Sequence, residues 1–291
     1  MRLETPRRRR RRKALEAPFP SEWRALLASR MAHWCFLGDV ERDRLEGFIK
    51  VFLVEKEFEG AGGLKVAEDI RVTIAAQACL LVLGLEDGAY YYRDVHSIIV
   101  YPSTVVRRGP QSSAVLPGAV TEGPAALAGE ARLHGPVVIV WDQALAQARF
   151  PGRGHNVVYH EFAHKIDMAD GSADGAPRHH DRAAAGRLRE VLAAEYMALG
   201  ERAEAGIPDL LDSYGAVNAV EFFAVATEVF FDLPLALQQQ HPELYAALAG
   251  FYRQEPAARV RRCAGEGPRF LGALGGSQPE AQAPPRRRQS P

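Results

Sequence analysis

Two histidines separated by three residues, the first followed directly by a glutamate, are the feature that most limits the fold of this 291-residue chain. His160, Glu161 and His164 form the pattern H-E-x-x-H. In an α-helix, residues i and i+4 lie on one face, so both imidazoles can reach the same metal ion. Glu161 lies one step around the helix, where its carboxylate can accept a proton from a metal-bound water. The pattern therefore predicts a metal-binding helix and is typical of a hydrolase.

The residues before the motif support a helix at this position. Pro151, Gly152 and Gly154 end the preceding segment, and residues 156–159 supply apolar side chains for the opposite helix face. The alternative is an amphipathic helix whose two histidines form only ordinary hydrogen bonds. The spacing of the motif favours a metal site over this alternative.

A catalytic zinc site needs a third protein ligand and an open position for water. Glu221 begins an apolar run, residues 221–231, in which Glu221 and Glu228 share one helical stripe. Two buried carboxylates are costly unless a cation lies opposite them, and zinc would supply that charge. A capping box, with Asn218 as the N-cap and Glu221 three residues later, explains the same glutamate. From the residues alone, both interpretations stay open.

Two other residues are candidates for the third ligand. Asp170 lies ten residues after His160, where the longer pattern H-E-x-x-H-x-x-G-x-x-H places its last ligand, but Asp167 occupies the glycine position of that pattern. Without glycine, the sharp turn that would bring Asp170 to the metal is difficult to form. Glu228 could bind the metal directly or accept a hydrogen bond from a ligand histidine.

Five segments carry a resemblance to a known family. They are residues 160–167 (HEFAHKID), 212–214 (DSY), 221–225 (EFFAV), 98–102 (IIVYP) and 134–141 (HGPVVIVW). Together they resemble the Mlc titration factor A family of bacterial zinc metallopeptidases, over about residues 20–260. The layout of the site is also similar to that of the catalytic domain of anthrax lethal factor.

The resemblance implies a role for each of five residues. His160, His164 and Glu221 would be the zinc ligands, Glu161 the general base, and Tyr214 a hydrogen-bond donor to the transition state. It also implies aminopeptidase activity on small substrates and binding to a glucose-type transcription repressor. We therefore expect one Zn²⁺ per chain and a peptide-hydrolysing enzyme. The alternative is a non-catalytic regulator that sequesters a DNA-binding repressor.

Two of the expected substrate contacts have ordinary structural explanations as well. Tyr214 would stabilise an oxyanion, but the turn-forming residues around it also fit a simple turn aromatic. Residues 137–140 predict a strand whose free edge could pair with an extended peptide substrate. A central strand buried on both faces is the alternative for the same residues.

Composition limits the location and the partners of the chain. Cys35, Cys79 and Cys263 are widely spaced, so neither a disulfide framework nor a cysteine metal site is predicted, and a reducing cytoplasm is favoured. The most apolar segment, residues 74–85, is too short to span a membrane and predicts a buried core helix. We expect a cytoplasmic protein with no membrane partner.

Charge is distributed unevenly, although the formal net charge is zero. Residues 1–18 carry a net charge of +6, including six consecutive arginines from Arg7 to Arg12, and residues 273–291 carry +2. The body between them is therefore acidic. Such runs are usually disordered tails, and this one lacks interleaved aromatics or a helix that reads bases. We expect no specific nucleic-acid partner.

The predicted architecture is α+β with one folded domain. Residues 1–18 are predicted to form a disordered basic tail, residues 19–272 a metallopeptidase domain, and residues 273–291 a second disordered tail. Within the domain, residues 19–95 are predicted to be helical, and residues 96–272 to contain the sheet and the catalytic helices. The expected fold is a mainly helical, zincin-type metallopeptidase with a small mixed β-sheet beside the active-site helix.

Overall fold

A computed structural model describes residues 4–86, 88, 92–103, 135–178 and 181–265. Most of these residues are helical. The helices are α1 (Pro6–Glu16), α2 (Ser21–Arg30), α3 (Ala32–Phe36), α4 (Asp39–Glu55), α5 (Glu68–Leu81), α6 (Trp141–Arg149), α7 (Val157–Asp167), α8 (Arg182–Glu204), α9 (Ala219–Asp232), α10 (Pro234–Gln240), α11 (Pro242–Tyr252) and α12 (Pro256–Gly265). The strands are β1 (Glu57–Gly60), β2 (Ser97–Tyr101) and β3 (Val137–Val140), and short 3-10 helices lie at Met168–Asp170 and Ser213–Ala216.

The described strands form one parallel sheet in the order β1-β2-β3. Phe58 pairs with Ile98, and Val100 pairs with Ile139. Because α5 lies between β1 and β2 in the chain, the connection is a crossover, which makes the two strands parallel. The α+β class is confirmed. Two details are corrected: the described pairings are parallel rather than mixed, and β1 interrupts the segment 19–95 that the sequence predicts as helical.

Helix α7 lies between the sheet and the helices of the core. It packs against β3 on one side and against α5 and α9 on others. All four residues of β3 are buried, as expected for a strand covered on both faces. In α5, every residue from Val72 to Leu81 is buried, which confirms the core helix predicted there. The helix that carries H-E-x-x-H is therefore fixed by apolar packing on several sides.

A loop holds the beginning of α9 close to the end of α7. Asp167, the last residue of α7, accepts a hydrogen bond from the backbone N–H of Gly175 at 3.0 Å. Gly175 has a φ of +75°, and a Cβ at this position would lie 2.2 Å from the carbonyl oxygen of Ala219. Only glycine fits such a close approach in the left-handed region. The loop thereby sets the position of α9 relative to α7.

The basic N-terminal segment is largely folded, which corrects the disordered tail predicted for residues 1–18. Residues Pro6–Glu16 form α1, which packs along α4. Arg7 Nε donates to Glu55 Oε1 at 3.0 Å, and Arg11 pairs with the same carboxylate at the end of α4. The prediction fails because a run of like charges does not reveal the carboxylate of Glu55, which the folded body supplies.

One expectation cannot be compared with the structure. The predicted tail at residues 273–291 lies outside the described residues. Within the described part of the chain, no helix combines the length and the apolar character needed to cross a bilayer.

A buried polar cluster lies where α3 meets α9. His33 Nε2 donates to the carbonyl oxygen of Phe231 at 3.1 Å, and its Nδ1 accepts from the Tyr159 hydroxyl at 3.3 Å. Asp232 Oδ1 lies 3.4 Å from the same Nε2. Burial lowers the pKa of His33 to about 4, with the charge of Arg259 acting in the same direction. Burial also raises the pKa of Asp232, with the charge of Glu228 acting in the same direction, and the His33 imidazole is neutral in the folded protein near neutral pH.

We expect His33 to weaken the folded state as the pH falls from about 6.5 to about 4. The unfolded chain binds the proton at an imidazole pKa of about 6.5, whereas the folded chain binds it only near about 4. The stabilising contribution of the neutral imidazole is therefore complete above the unfolded pKa and lost below the folded one, a change of about 3 kcal/mol. Urea unfolding at about pH 7 and about pH 4.5 should show a smaller loss of stability on acidification for His33→Gln than for wild type. Asp232 acts in the opposite direction in both proteins, and equal losses in the two would contradict the prediction.

Candidate metal centre

The start of α7 is fixed by a buried asparagine. Asn156 is the N-cap, and its Oδ1 accepts hydrogen bonds from the backbone N–H groups of Val158 and Tyr159, both at 3.1 Å. Its Nδ2 donates to Gln77 Oε1 on α5 at 3.0 Å. One side chain therefore begins the helix and joins it to the core helix, which orients everything that α7 carries.

The burial of α7 decides which face remains for chemistry. Val158, Tyr159, Phe162, Ala163 and Ile166 are fully buried in the apolar core. The helical spacing then places the histidines of the motif on the side that faces α9. His164 is 2% exposed, whereas His160 and Glu161 are half-buried at the edge of the core. The motif thus lies at the boundary between the core and the solvent.

The start of α9 brings a carboxylate to the same place. Asn218 is the N-cap of α9, and its Oδ1 accepts from the backbone N–H of Glu221 at 2.9 Å. The Glu221 side chain does not return to the cap, as a capping box would require. Its Oε2 lies 3.0 Å from His160 Nε2 and 3.3 Å from His164 Nε2 instead. The cap explains the position of the residue, and the histidines explain the direction of its side chain.

The three side chains fit a tetrahedral metal ion. The two Nε2 atoms of His160 and His164 lie 3.1 Å apart, which completes a triangle with Glu221 Oε2. An ion at about 2.0–2.1 Å from each ligand atom would separate those atoms by about 3.3–3.4 Å, close to the observed spacing. Two imidazoles and one carboxylate can therefore hold a divalent ion with one position left for water.

Glu228, two turns after Glu221, supports the cluster from the other side. Its Oε1 accepts from His160 Nδ1 at 2.7 Å, and its Oε2 accepts from the backbone N–H of Asn156. A hydrogen bond from Nδ1 leaves the Nε2 lone pair of His160 directed at the cluster. Since both oxygens of Glu228 are engaged away from the triangle, the geometry favours Glu228 as a support for His160 over direct ligation.

The carboxylates favour a positive charge within the cluster. Burial lowers the pKa of His160, but the hydrogen bonds with Glu221 and Glu228 have the larger combined effect and raise the pKa to about 10. Burial raises the pKa of Glu221, while the hydrogen bonds with His160 and His164 hold it well below its usual range. The cause is the same in both cases, because each buried carboxylate needs a cationic partner.

Tyr214 and Glu161 lie beside the triangle. The Tyr214 ring is 6.1 Å from the His160 ring, and the side chain is 42% exposed. It lies on the 3-10 helix before α9, where Asp212 Oδ1 accepts the Tyr214 backbone N–H at 2.7 Å. Tyr214 is therefore both part of a turn and close to the histidines of the site. Within the described residues, the Glu161 carboxylate has no hydrogen-bond or ion-pair partner.

Sequence reasoning missed the role of Asn156 in this site. Asn156 was a visible signal, since asparagine before an apolar helical pattern favours an N-cap, but its bond to Gln77 spans 79 residues and leaves no local pattern. Asp167 contacts the loop at Gly175 rather than a histidine of the motif. Asp170 lies in the 3-10 helix after α7, and the direction of its side chain is outside the description.

Comparison with known proteins gives relatives along most of the chain. The uncharacterised protein slr2042 of Synechocystis sp. is 36% identical over 248 residues, which cover 85% of this chain and 89% of the relative. Mlc titration factor A of Edwardsiella ictaluri is 34% identical over 232 residues, covering 77% and 84% of the two chains. Mlc titration factor A of Serratia proteamaculans is 32% identical over 240 residues, covering 79% and 86%.

The family match includes both helices of the candidate metal centre. The family described as glucose-regulated metallo-peptidase M90 matches residues 5–253, from the N-cap of α1 to the end of α11. On that match, together with the relatives above, the chain belongs to the glucose-regulated metallo-peptidase M90 family.

Proposed function

We propose that this chain is a zinc-dependent peptidase in which His160, His164 and Glu221 hold one Zn²⁺. The observation that carries the proposal is the triangle of ligand atoms, with sides of 3.0, 3.1 and 3.3 Å. Mixed nitrogen and oxygen donors suit zinc, whereas magnesium and calcium prefer oxygen ligands alone. Membership of a metallopeptidase family supports the same assignment.

When bound, the zinc ion supplies the Lewis acidity that acidifies a water and polarises the scissile carbonyl. Glu161 accepts the water proton on its carboxylate, which is half-buried beside His160 and not engaged by another described side chain. It can then pass that proton to the leaving amine, since the same carboxylate is next to both reacting groups. The fixed axis of α7 holds Glu161 and the two histidines in one geometry throughout.

Tyr214 donates its phenolic hydrogen to the oxyanion that forms as water adds to the carbonyl. A phenol donates without carrying charge, so it stabilises developing negative charge without repelling a cation. The 3-10 helix that carries Tyr214 packs against both α8 and α9. The donor is therefore held beside the cluster even though its ring is partly exposed.

The proposed substrates are short peptides and aminoacyl amides. A preference for the amino-terminal residue follows from the family resemblance given above. Strand β3 is the last strand of the described sheet and packs next to α7, where an extended peptide can pair with a strand edge by backbone hydrogen bonds. A cytoplasmic location belongs to the same proposal and follows from the wide spacing of the cysteines.

A second candidate function is regulation of transcription by binding a repressor. The relatives from Edwardsiella and Serratia are named Mlc titration factor A, and a titration factor binds the protein that it titrates. We infer that this chain binds a DNA-binding repressor of the Mlc type. The two functions are compatible, because a repressor can bind a surface away from the metal ligands.

Glu161→Gln is expected to keep zinc and lose turnover. Glutamine preserves the shape of the side chain but cannot accept a proton, and loss of a general base lowers kcat about 10²–10⁴-fold. Zinc content by atomic absorption and hydrolysis of a chromogenic aminoacyl substrate measure the two properties. Glu190→Gln, at an exposed position of α8, is the matched control. Equal turnover in wild type and Glu161→Gln would overturn the proposal that the chain is a peptidase.

The same two proteins test the second function. Capture of a repressor by both wild type and Glu161→Gln would support binding that is independent of catalysis.

Tyr214→Phe is expected to lower kcat about 10²-fold and leave zinc affinity unchanged, since it removes only the donor to the oxyanion. Phenylalanine keeps the ring beside His160, so the turn and the cluster are retained. Steady-state kinetics on the same chromogenic substrate would separate kcat from KM. A wild-type kcat in the variant would show that Tyr214 is only a turn aromatic.

Glu228→Gln is expected to weaken zinc binding about 10-fold or more, in the range found for carboxylates that orient a ligand histidine. The amide retains the size of the side chain but removes the charge that supports His160. Competition with a chromogenic chelator gives the dissociation constant, and thermal melting verifies the fold. Glu243→Gln, exposed on α11, serves as the reference substitution. Identical zinc affinity in the two variants would show that Glu228 does not support zinc binding.

A further inference from the structure

The arginine run forms a helix that the protein body holds in place. Arg7 and Arg11 both pair with Glu55 at the end of α4. Lys50 Nζ donates to the carbonyl oxygens of Leu15 at 3.0 Å and Ala17 at 2.6 Å, which fixes the C-terminal end of α1. One face of α1 therefore packs against α4, and the opposite face is directed away from the protein body.

The outer face of α1 carries more positive charge than the structure neutralises. Arg8, Arg9, Arg10 and Lys13 are exposed and have no carboxylate partner among the described residues. Arg12 pairs with Glu4 and Glu16, which are themselves exposed. Exposed ion pairs contribute little and exchange readily for another anion, so the whole outer face remains cationic.

We propose that the outer face of α1 binds the phosphate backbone of nucleic acid without regard to sequence. Guanidinium groups match phosphate oxygens in a two-pronged geometry, and double-stranded DNA carries one negative charge per about 1.7 Å of its axis. Helix α1 is about 16 Å long at 1.5 Å per residue, so its cations face several phosphates at once. No feature that reads bases is required for such binding.

The shape of the charged face favours a nucleic-acid groove over a flat membrane. At about 100° per residue, the cations from Arg8 to Lys13 extend over an arc of about 200° around the helix. A planar bilayer can contact only part of that arc, whereas the walls of a groove can contact most of it. A helix that lies on a membrane also needs a large apolar face, and the outer side of α1 offers only one large apolar side chain, Leu15, which is 47% exposed.

This binding surface is independent of the proposed peptidase. Its cations lie on α1, whereas the metal ligands lie on α7 and α9. Helix α1 is already folded and attached to the body, so it does not lose chain entropy when it binds a partner, as a disordered tail would. Nucleic-acid binding and hydrolysis can therefore be tested separately on the same chain.

The test measures binding of the full chain to a fluorescent duplex of mixed sequence, about 20 base pairs long, at several salt concentrations. The variant removes the four unpartnered cations: Arg8→Gln, Arg9→Gln, Arg10→Gln and Lys13→Gln. The control removes four exposed cations elsewhere: Arg178→Gln, Arg182→Gln, Arg187→Gln and Arg189→Gln. Arg7 and Arg11 are retained in both, so α1 keeps its contacts with Glu55.

Wild type and control should lose about 100-fold in affinity between about 50 and 200 mM salt, with a log–log slope of about −3 to −4. The α1 variant should lose most of this slope while melting at the same temperature as the control. Equal slopes in the two variants, or no measurable binding by wild type, would overturn the proposal. Binding of wild type only to vesicles that contain phosphatidylserine would also overturn it and assign the surface to membranes.

Discussion

Buried carboxylates on α9 determine how the two halves of the site meet. Glu221 and Glu228 are 4% and 5% exposed, and both are directed at the same imidazole of His160. Two such charges would be costly in an apolar helix interface without a cation. The contact between α7 and α9 therefore depends on positive charge held between them, which a divalent ion supplies more strongly than a protonated imidazole. Helix packing and metal chemistry share one electrostatic requirement.

The parts of this site that depend on helical spacing could be predicted from the sequence. The histidine pair and the N-cap Asn218 are each determined by residues within one turn, and the structure has the predicted helices in both places. The choice between a cap and a ligand role for Glu221 could not be made locally, since the backbone N–H serves the cap and the side chain is directed at the histidines. Two interpretations that compete in the sequence are compatible in three dimensions.

Features that depend on tertiary contacts were not accessible from patterns. The link between Gln77 and Asn156 joins residues on different helices. The folding of α1 depends on Glu55, which lies in a different segment from the arginines that it neutralises. Parallel pairing of β1 with β2 depends on the crossover through α5, which is not determined by either strand. In each case the missing information is the identity of a distant partner.

The hydrogen bond from Asn156 to Gln77 and the contact of Glu221 with His160 have a consequence for synthesis on the ribosome. The first joins α7 to a helix made much earlier, and the second joins it to a helix made 61 residues later. A nascent chain that ends before α9 has both imidazoles but lacks the carboxylate that completes the triangle. A truncated product would therefore hold a divalent ion weakly, and only a chain whose synthesis has passed α9 carries all three candidate ligands.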